Sequence, residues 1–182
     1  GDPYSKVKLE KTVANLRSRD IFKRVNQKVL DGSSKDLKVL EISVEEKPTG
    51  EIMAGAGTGT DGTTLSFALA ENNYLGKGLR VDTSLDLTES TIRGGLDITD
   101  PNYKYSGNLV TAGISSQKTD NSESGYENTL NSLKLATRFE QYDNIFFSPS
   151  IELSFDDLKV DSSASSSLKK QAGSFVDFTF GY

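Results

Sequence analysis

The sequence of 182 residues contains no cysteine, no histidine and no tryptophan. Without cysteine the chain has neither a disulfide framework nor a cysteine metal site. Without histidine it lacks the commonest general base and the commonest zinc ligand. These absences weigh against hydrolase and metal chemistry. We therefore expect a protein that is not an enzyme and that uses no metal and no cofactor.

Long hydrophobic runs are also absent. No segment approaches the roughly 20 consecutive apolar residues that a membrane-spanning helix needs, and no basic-then-apolar signal peptide opens the chain. A helical membrane protein is therefore excluded. A membrane β-barrel is not excluded, because its strands alternate between apolar and polar residues and are not hydrophobic on average.

Charge is distributed unevenly along the chain, whose net charge is -5. Residues 1–50 hold 11 basic and 8 acidic residues, a net of +3, whereas the remainder holds 10 and 18, a net of -8. A change of sign that coincides with a change of composition marks a domain boundary. We place it near Pro48-Thr49-Gly50, which gives predicted domains at 1–49 and 50–182.

The first domain is predicted to contain a helix followed by two strands. Ser5 is a suitable N-cap, and Leu9, Val13 and Leu16 then share one helical face. The strand-like runs IFKRVNQKVL and DLKVLEISVEEK are separated by a turn at 31–34. Acidic residues are interleaved with the lysines without an aromatic-basic pattern, so we do not expect nucleic-acid binding.

Beyond Gly50 the sequence alternates between apolar and polar residues in segment after segment. In LRVDTSLDL, for example, Leu79, Val81, Leu85 and Leu87 share one face. Such repeated period-two alternation is typical of an antiparallel sheet, and no helical segment is predicted to interrupt it. The eight predicted strands span residues 51–60, 63–73, 78–89, 91–99, 106–118, 126–140, 144–157 and 168–182.

Alternation alone fits either a soluble sandwich or a membrane barrel, and three details favour the barrel. The strands are about 9–14 residues long, nearer to membrane strands than to the usual soluble length. Connections alternate between compact turns, such as NNYLGKG, TDPNYKYSG and EQYDN, and long polar loops, SSQKTDNSESGYEN and DDLKVDSSASSSLKKQ. The compact ends also carry aromatic residues suited to a membrane interface: Tyr74, Tyr103, Tyr105, Tyr142, Phe146 and Tyr182.

The first strand of this meander is rich in glycine and alanine, which supply little packing. One hypothesis is that the strand is weak so that its pairing can be exchanged. The other is that it is thin so that a neighbouring backbone or an inward loop can approach. A phosphate loop is excluded, because GAGTGTDG lacks the Gly-Lys-Ser/Thr ending and precedes a strand.

Three stretches carry a family resemblance that covers essentially the whole chain. The segment GDPYSKVKLEKTVANLRSRDIFKRV, followed by DLKVLEISVEEKPTGEI, resembles the C-terminal part of a POTRA domain. The stretch AGAGTGTDGTTLSFALAENNYLGKG is similar to the opening barrel hairpin of BamA-type assembly proteins. The stretch LDITDPNYKYSG resembles the fourth strand and following turn of that family.

The resemblance implies a mainly β fold: about half of a sixteen-stranded outer-membrane barrel, preceded by a partial, periplasmic POTRA domain. It implies insertion and folding of other β-barrel proteins in the bacterial outer membrane. The expected partners are unfolded barrel clients, outer-membrane lipid and accessory lipoproteins that dock on the POTRA domain. The first strand would be a lateral gate for client pairing, comprising Glu51, Ile52, Met53, Ala54, Gly55, Ala56, Gly57, Thr58, Gly59 and Thr60.

Two alternatives stay open. One is a related POTRA-barrel transporter of the translocation-and-assembly or two-partner-secretion type. The other is a complete eight-stranded barrel with a structural or adhesive role, which would require the 51–60 and 168–182 strands to pair.

Overall fold

A computed structural model describes residues 3–34, 36–59, 62–162 and 164–182. The chain forms two compact units, Gly1–Gly50 and Glu51–Tyr182. Each unit is described by itself.

The first unit consists of one helix and a two-stranded antiparallel sheet. Helix α1 (Lys6–Ser18) begins after Ser5, whose hydroxyl accepts a hydrogen bond from the Lys8 amide. Strands β1 (Phe22–Asp31) and β2 (Lys38–Glu46) are antiparallel. The helix buries Leu9 and Val13 against Val25 of β1. This unit therefore has a small core on one sheet face, and its assignment to a POTRA domain stays a prediction.

The second unit is a nine-stranded antiparallel sheet. In spatial order its main path is β11-β10-β8-β7-β6-β5-β4-β3, and β9 pairs with β8. Apart from the short β9, each strand therefore lies beside the next one in sequence, as in a meander. The bounds are β3 (Gly50–Gly59), β4 (Gly62–Tyr74), β5 (Leu79–Leu87), β6 (Thr91–Asp100), β7 (Leu109–Asn121), β8 (Tyr126–Tyr142), β9 (Ile145–Phe147), β10 (Ser150–Val160) and β11 (Gly173–Gly181).

Two predicted strands differ from those observed. The strand predicted at 144–157 is divided into β9 and β10 by Ser148-Pro149, because proline has no amide to donate to the ladder. The Pro149 carbonyl still accepts a hydrogen bond of 3.0 Å from the Thr137 amide. The last strand begins at Gly173 instead of 168, since Ser166–Lys169 forms a short helix, α2. With the 3-10 turn at Tyr103–Tyr105, α2 shows that the prediction of an uninterrupted sheet was wrong.

The predicted long loop at 115–128 is also wrong. Strand β7 continues to Asn121 and β8 begins at Tyr126, so that only 122–125 form the turn. Its polar residues still pair in register, and the Lys118 ammonium lies 2.9 Å from the Glu127 carboxylate. Strand extensions that face water on one side need no apolar residues, which explains why composition suggested a loop. The other predicted long loop, at 156–171, begins later than predicted because β10 continues to Val160, but the connection to β11 is still long.

The sheet exposes its apolar residues. Along β4, Leu65, Phe67 and Leu69 are each 42–47% exposed, whereas the intervening small and polar residues are less exposed. Within the described part of this unit, only Ala70 and Ala164 are buried apolar side chains. The order of exposure is therefore the reverse of that in a soluble sandwich, whose apolar face is covered.

The apolar face forms a band of limited height. In the register, Leu69 lies opposite Thr83, and the neighbouring strands continue the row with Leu96, Ile114 and Leu133. On β5 the alternating apolar positions run from Leu79 to Leu87. That distance is about 27 Å along the strand. If the strands are tilted by about 40° from the barrel axis, the band is about 20 Å high, close to the apolar band of outer-membrane barrels.

The helices are short. Among the described residues no helix combines the length and the apolar character needed to cross a bilayer.

Candidate functional site at the first strand of the sheet

Strand β3 is one edge of the large sheet. It pairs on one side with β4, and in the described part of the chain its other side carries no strand. All its described residues are exposed. The predicted gate residues from Glu51 to Gly59 therefore lie together on one accessible edge strand, whereas Thr60 lies outside the described residues.

The two faces of β3 can be assigned from Glu51. This carboxylate interacts electrostatically with Arg80, whose guanidinium donates hydrogen bonds of 2.7 and 2.8 Å to Asp82. Asp82 belongs to the polar face, and the alternation of the charged Glu51 with the apolar Ile52 is consistent with placing Glu51 on that face as well. Because strand side chains alternate, Met53 and the glycines at 55, 57 and 59 share that face. The apolar face receives the side chains at 52, 54, 56 and 58.

Open space surrounds the three glycines of β3. A Cβ atom added at Gly55, Gly57 or Gly59 meets no described atom within 4 Å. Gly113, in the middle of the sheet, differs because a Cβ there would overlap the Asp97 carboxylate. Close approach of a described segment therefore does not explain the glycines of β3. The other hypothesis, that the glycines weaken strand pairing so that it can be exchanged, remains.

Side chains contribute little to holding β3. Elsewhere they cross-link adjacent strands, as in the bonds from Ser66 to Asp86 at 2.6 Å and from Arg93 to Gln117 at 2.8 Å. Within the described part of the chain, side chains of residues 50–59 form no hydrogen bond or ion pair. Backbone bonds to β4 thus supply most of the attachment of this strand.

The polar face is a wall of small and charged residues. Cross-strand pairing aligns Ser84, Gly95, Ser115, Ser132 and Ser154 in one row across five strands. A shallow cavity of about 210 Å³ lies over this row. The register also places seven charged residues on this face: Asp82, Asp86, Arg93, Asp97, Lys134, Arg138 and Glu152.

Charged side chains on this face do not form a metal-binding cluster in the residues described. Where the structure describes the chain, no three acidic side chains cluster closely enough to hold a metal ion. The charged groups are instead distributed along the wall. Their arrangement suits a hydrated lumen, in which charges of both signs remain solvated.

The predicted aromatic residues lie along one edge of the sheet. This edge, called the aromatic edge below, is formed by strand ends: β3 begins there, and the connections β4–β5, β6–β7 and β8–β9 lie there. Their exposed fractions range from 43% for Tyr103 to 99% for Tyr182. Rings with an apolar body and a polar hydroxyl are stable at a membrane interface.

Sequence reasoning did not find the shared geometry of two turns at this aromatic edge. In each, an asparagine side chain accepts a hydrogen bond from a glycine amide five residues later. These bonds are 2.8 Å from Gly78 to Asn73 and 2.8 Å from Gly107 to Asn102. The repeated Asn-Gly spacing in NNYLGKG and NYKYSG was the available signal.

The combination of an exposed apolar face, a polar wall and an aromatic edge defines the wall of a membrane-type β-barrel. No protein-family model matches the chain, and no curated protein matches it. Solved structures do match: one is the crystal structure of BamA from Haemophilus ducreyi lacking POTRA domains 1–3. The TM-score is 0.75 at 16% identity, and the match covers 94% of this chain.

The similarity shows the fold. The predicted BamA-like fold is confirmed, with an antiparallel sheet that stays open between β3 and β11 in the described residues. This chain spans 36% of the length of that BamA chain. Activity, clients and partners are therefore inferred separately below.

Proposed function

We propose that the protein carrying this chain inserts and folds β-barrel proteins in the bacterial outer membrane. The observation that carries the proposal is that β3 is exposed and weakly attached by its side chains. It is an exposed edge strand with open space at its glycines, and its described side chains form no hydrogen bond. The resemblance to BamA-type assembly proteins supplies the class of client, and the fold is consistent with it.

The mechanism is strand addition at the free edge of β3. An incoming terminal strand would pair through main-chain hydrogen bonds, which provide affinity without requiring one particular sequence. Glycine in a strand interior costs roughly 0.5–1 kcal/mol relative to alanine. The glycines of β3 thus weaken pairing along its free edge, and a client strand can exchange there without breaking side-chain contacts.

The apolar face supports a location in the outer membrane. Residues 65, 67 and 69 on β4 and their cross-strand neighbours would contact lipid, while the charged face would line a wet lumen. Residues 1–49 would then be a periplasmic POTRA part that docks assembly lipoproteins. The clients are unfolded barrel proteins, and we propose no enzymatic activity, no cofactor and no nucleic acid.

The open sheet bears on the alternatives. A complete eight-stranded barrel would pair β3 with β11, but these strands are opposite edges in the described structure. That observation favours a larger barrel. A POTRA-barrel transporter would share the same architecture, and the number of POTRA domains in the full-length protein distinguishes it.

Cysteine cross-linking tests the proposal. A cysteine at Ala54 or Gly57 should form a disulfide with a cysteine in the last strand of a client during assembly. The matched control is Ser115→Cys, because β7 is paired on both sides by β6 and β8. If no position on β3 cross-links while assembly proceeds, the gate is located elsewhere.

A further inference from the structure

Two neighbouring turns at the aromatic edge are held in the same way. They connect β4 to β5 and β6 to β7, so that the β5–β6 pair lies between them. Besides the hydrogen bond that the Asn73 or Asn102 side chain accepts, each turn has a backbone bond. Gly76 donates to the Asn73 carbonyl at 2.8 Å, and Tyr105 donates to the Asn102 carbonyl at 2.9 Å. Both turns are therefore fixed at two points.

These bonds hold the tips in an uncommon backbone conformation. Leu75 has a φ of 55°, and Lys104 and Tyr105 have φ values of 50° and 59°. Residues with a Cβ rarely adopt this left-handed region. At the tips, Leu75 is 73% exposed and Tyr105 is 94% exposed. The chain thus accepts strained geometry while presenting two large apolar side chains to the surroundings.

The same tips carry unpaired cations. Within the described residues, Lys77 and Lys104 form no ion pair. The Lys104 ammonium lies 5.3 Å from the Tyr103 ring, a cation–π contact that leaves its charge accessible. The nearby Asp100 carboxylate is occupied by the Asn102 amide at 2.9 Å. Each tip therefore combines a free positive charge with an exposed apolar group.

The remaining connections show that this combination is local. At the opposite edge, the short turns at 88–90 and 122–125 contain Glu89 and Glu123 and no aromatic residue. The third turn of the aromatic edge contains Tyr142 and Asp143 and has no lysine. The connection at 161–172 carries Lys169 and Lys170, but the neighbouring Leu168 is half-buried. Among the described connections of this sheet, lysine is thus combined with a strongly exposed apolar side chain at the two adjacent tips.

We infer that these two tips bind the anionic head groups of phospholipids in the membrane leaflet at that edge. Lys77 and Lys104 would contact the phosphates, and Leu75 and Tyr105 would enter the interfacial layer. Lysine near an anionic surface is attracted electrostatically, and tyrosine favours the same depth. This inference rests on the membrane location proposed above, but it does not depend on client assembly.

Fluorescence quenching measures the local lipid preference. The chain contains no tryptophan, so Tyr105→Trp provides a reporter in the full-length protein once other tryptophans are replaced. The protein is reconstituted in phosphatidylcholine bilayers with brominated phosphatidylglycerol or brominated phosphatidylcholine. We define the quenching ratio as quenching by brominated phosphatidylglycerol divided by quenching by brominated phosphatidylcholine. We expect this ratio to exceed 1 and to fall about fivefold with each of Lys77→Gln and Lys104→Gln. Both changes together should bring the ratio close to 1.

Controls separate this attraction from general membrane contact. Lys169→Gln with Lys170→Gln changes charge in the connection at the opposite edge and should leave the ratio at position 105 unchanged. A Ser124→Trp reporter in that edge should show no dependence on Lys77 or Lys104. Leu75→Ser should reduce quenching by both lipids equally.

A ratio near 1 in the unmodified background, or a ratio that the double lysine variant does not change, would overturn the inference. Loss of client cross-linking at β3 with the lipid preference retained would instead count against the proposed gate alone. The two proposals therefore fail separately.

Discussion

Replacing the glycines of β3 by alanine should make the gate harder to open. The triple variant Gly55→Ala, Gly57→Ala and Gly59→Ala introduces methyl groups into space where no described atom lies within 4 Å. Each change should stabilise strand pairing by roughly 0.5–1 kcal/mol, since alanine loses less backbone entropy than glycine on folding. The sum is about 1.5–3 kcal/mol, which corresponds to about tenfold to a hundredfold fewer openings.

The assay is twofold. Hydrogen exchange at the β3 amides that point to the free edge reports how often pairing along that edge opens in the full-length protein, and it should slow by the same factor. Client folding in proteoliposomes should slow in parallel. Gly94→Ala is the matched control, because its Cβ would make an ordinary contact of 3.8 Å with the Ser84 carbonyl in the middle of the sheet.

The control should not change client folding. The reasoning is refuted if the triple variant folds clients at the original rate although exchange at β3 has slowed. Unchanged exchange at β3 would refute the energetic part of the argument as well.

Three further predictions concern packing, lipid contact and titration. Gly113→Ala should cost less than about 1 kcal/mol in urea unfolding, because its Cβ would overlap the Asp97 carboxylate but that exposed side chain can change rotamer; a larger loss would contradict that geometry. Phe67→Lys should cost about 2–4 kcal/mol in lipid vesicles, whereas a cost near zero would place this residue in water. The hydrogen bond from Lys38 lowers the pKa of Asp31, so Lys38→Met should return that pKa to its usual range in an NMR titration. The pair is therefore present above the usual aspartate pKa and is lost as pH falls; an unchanged Asp31 pKa would contradict this.

Local physical signals predicted the elements of both units well. Ser5 marked the start of α1, and the spacing of Leu9 and Val13 identified the buried face. Period-two alternation located the long strands because each has one apolar and one polar face. These features depend on residues close in sequence, so they can be recognised without the fold.

Polar strand extensions were missed for a physical reason. Residues 115–121 and 126–128 are rich in serine, asparagine and charge, which resembles a loop. In the structure they are paired strands, stabilised by cross-strand contacts such as that between Lys118 and Glu127. Pairing partners determined the outcome, on β8 across the short turn and on β6, where Arg93 bonds to Gln117 from 24 residues away. Composition carries no information about such pairing.

The candidate site shows the same division. The location of β3 was predicted from its resemblance to a barrel hairpin. Its free edge and the open space at its glycines could be recognised only in the three-dimensional structure. The two lysine-bearing tips depended on left-handed residues and on asparagine side-chain bonds. Such backbone states are weakly encoded when the residues are leucine, lysine and tyrosine.

A cysteine ladder along β3 tests the central claim most directly. Single cysteines at Ile52, Ala54, Ala56 and Thr58 would each be paired with cysteines along the last strand of an assembling client. The account predicts one continuous register, in which a step of two residues on β3 moves the cross-link by two residues on the client. Equal cross-linking to the interior strand β6, or cross-links on β3 without a register, would contradict it.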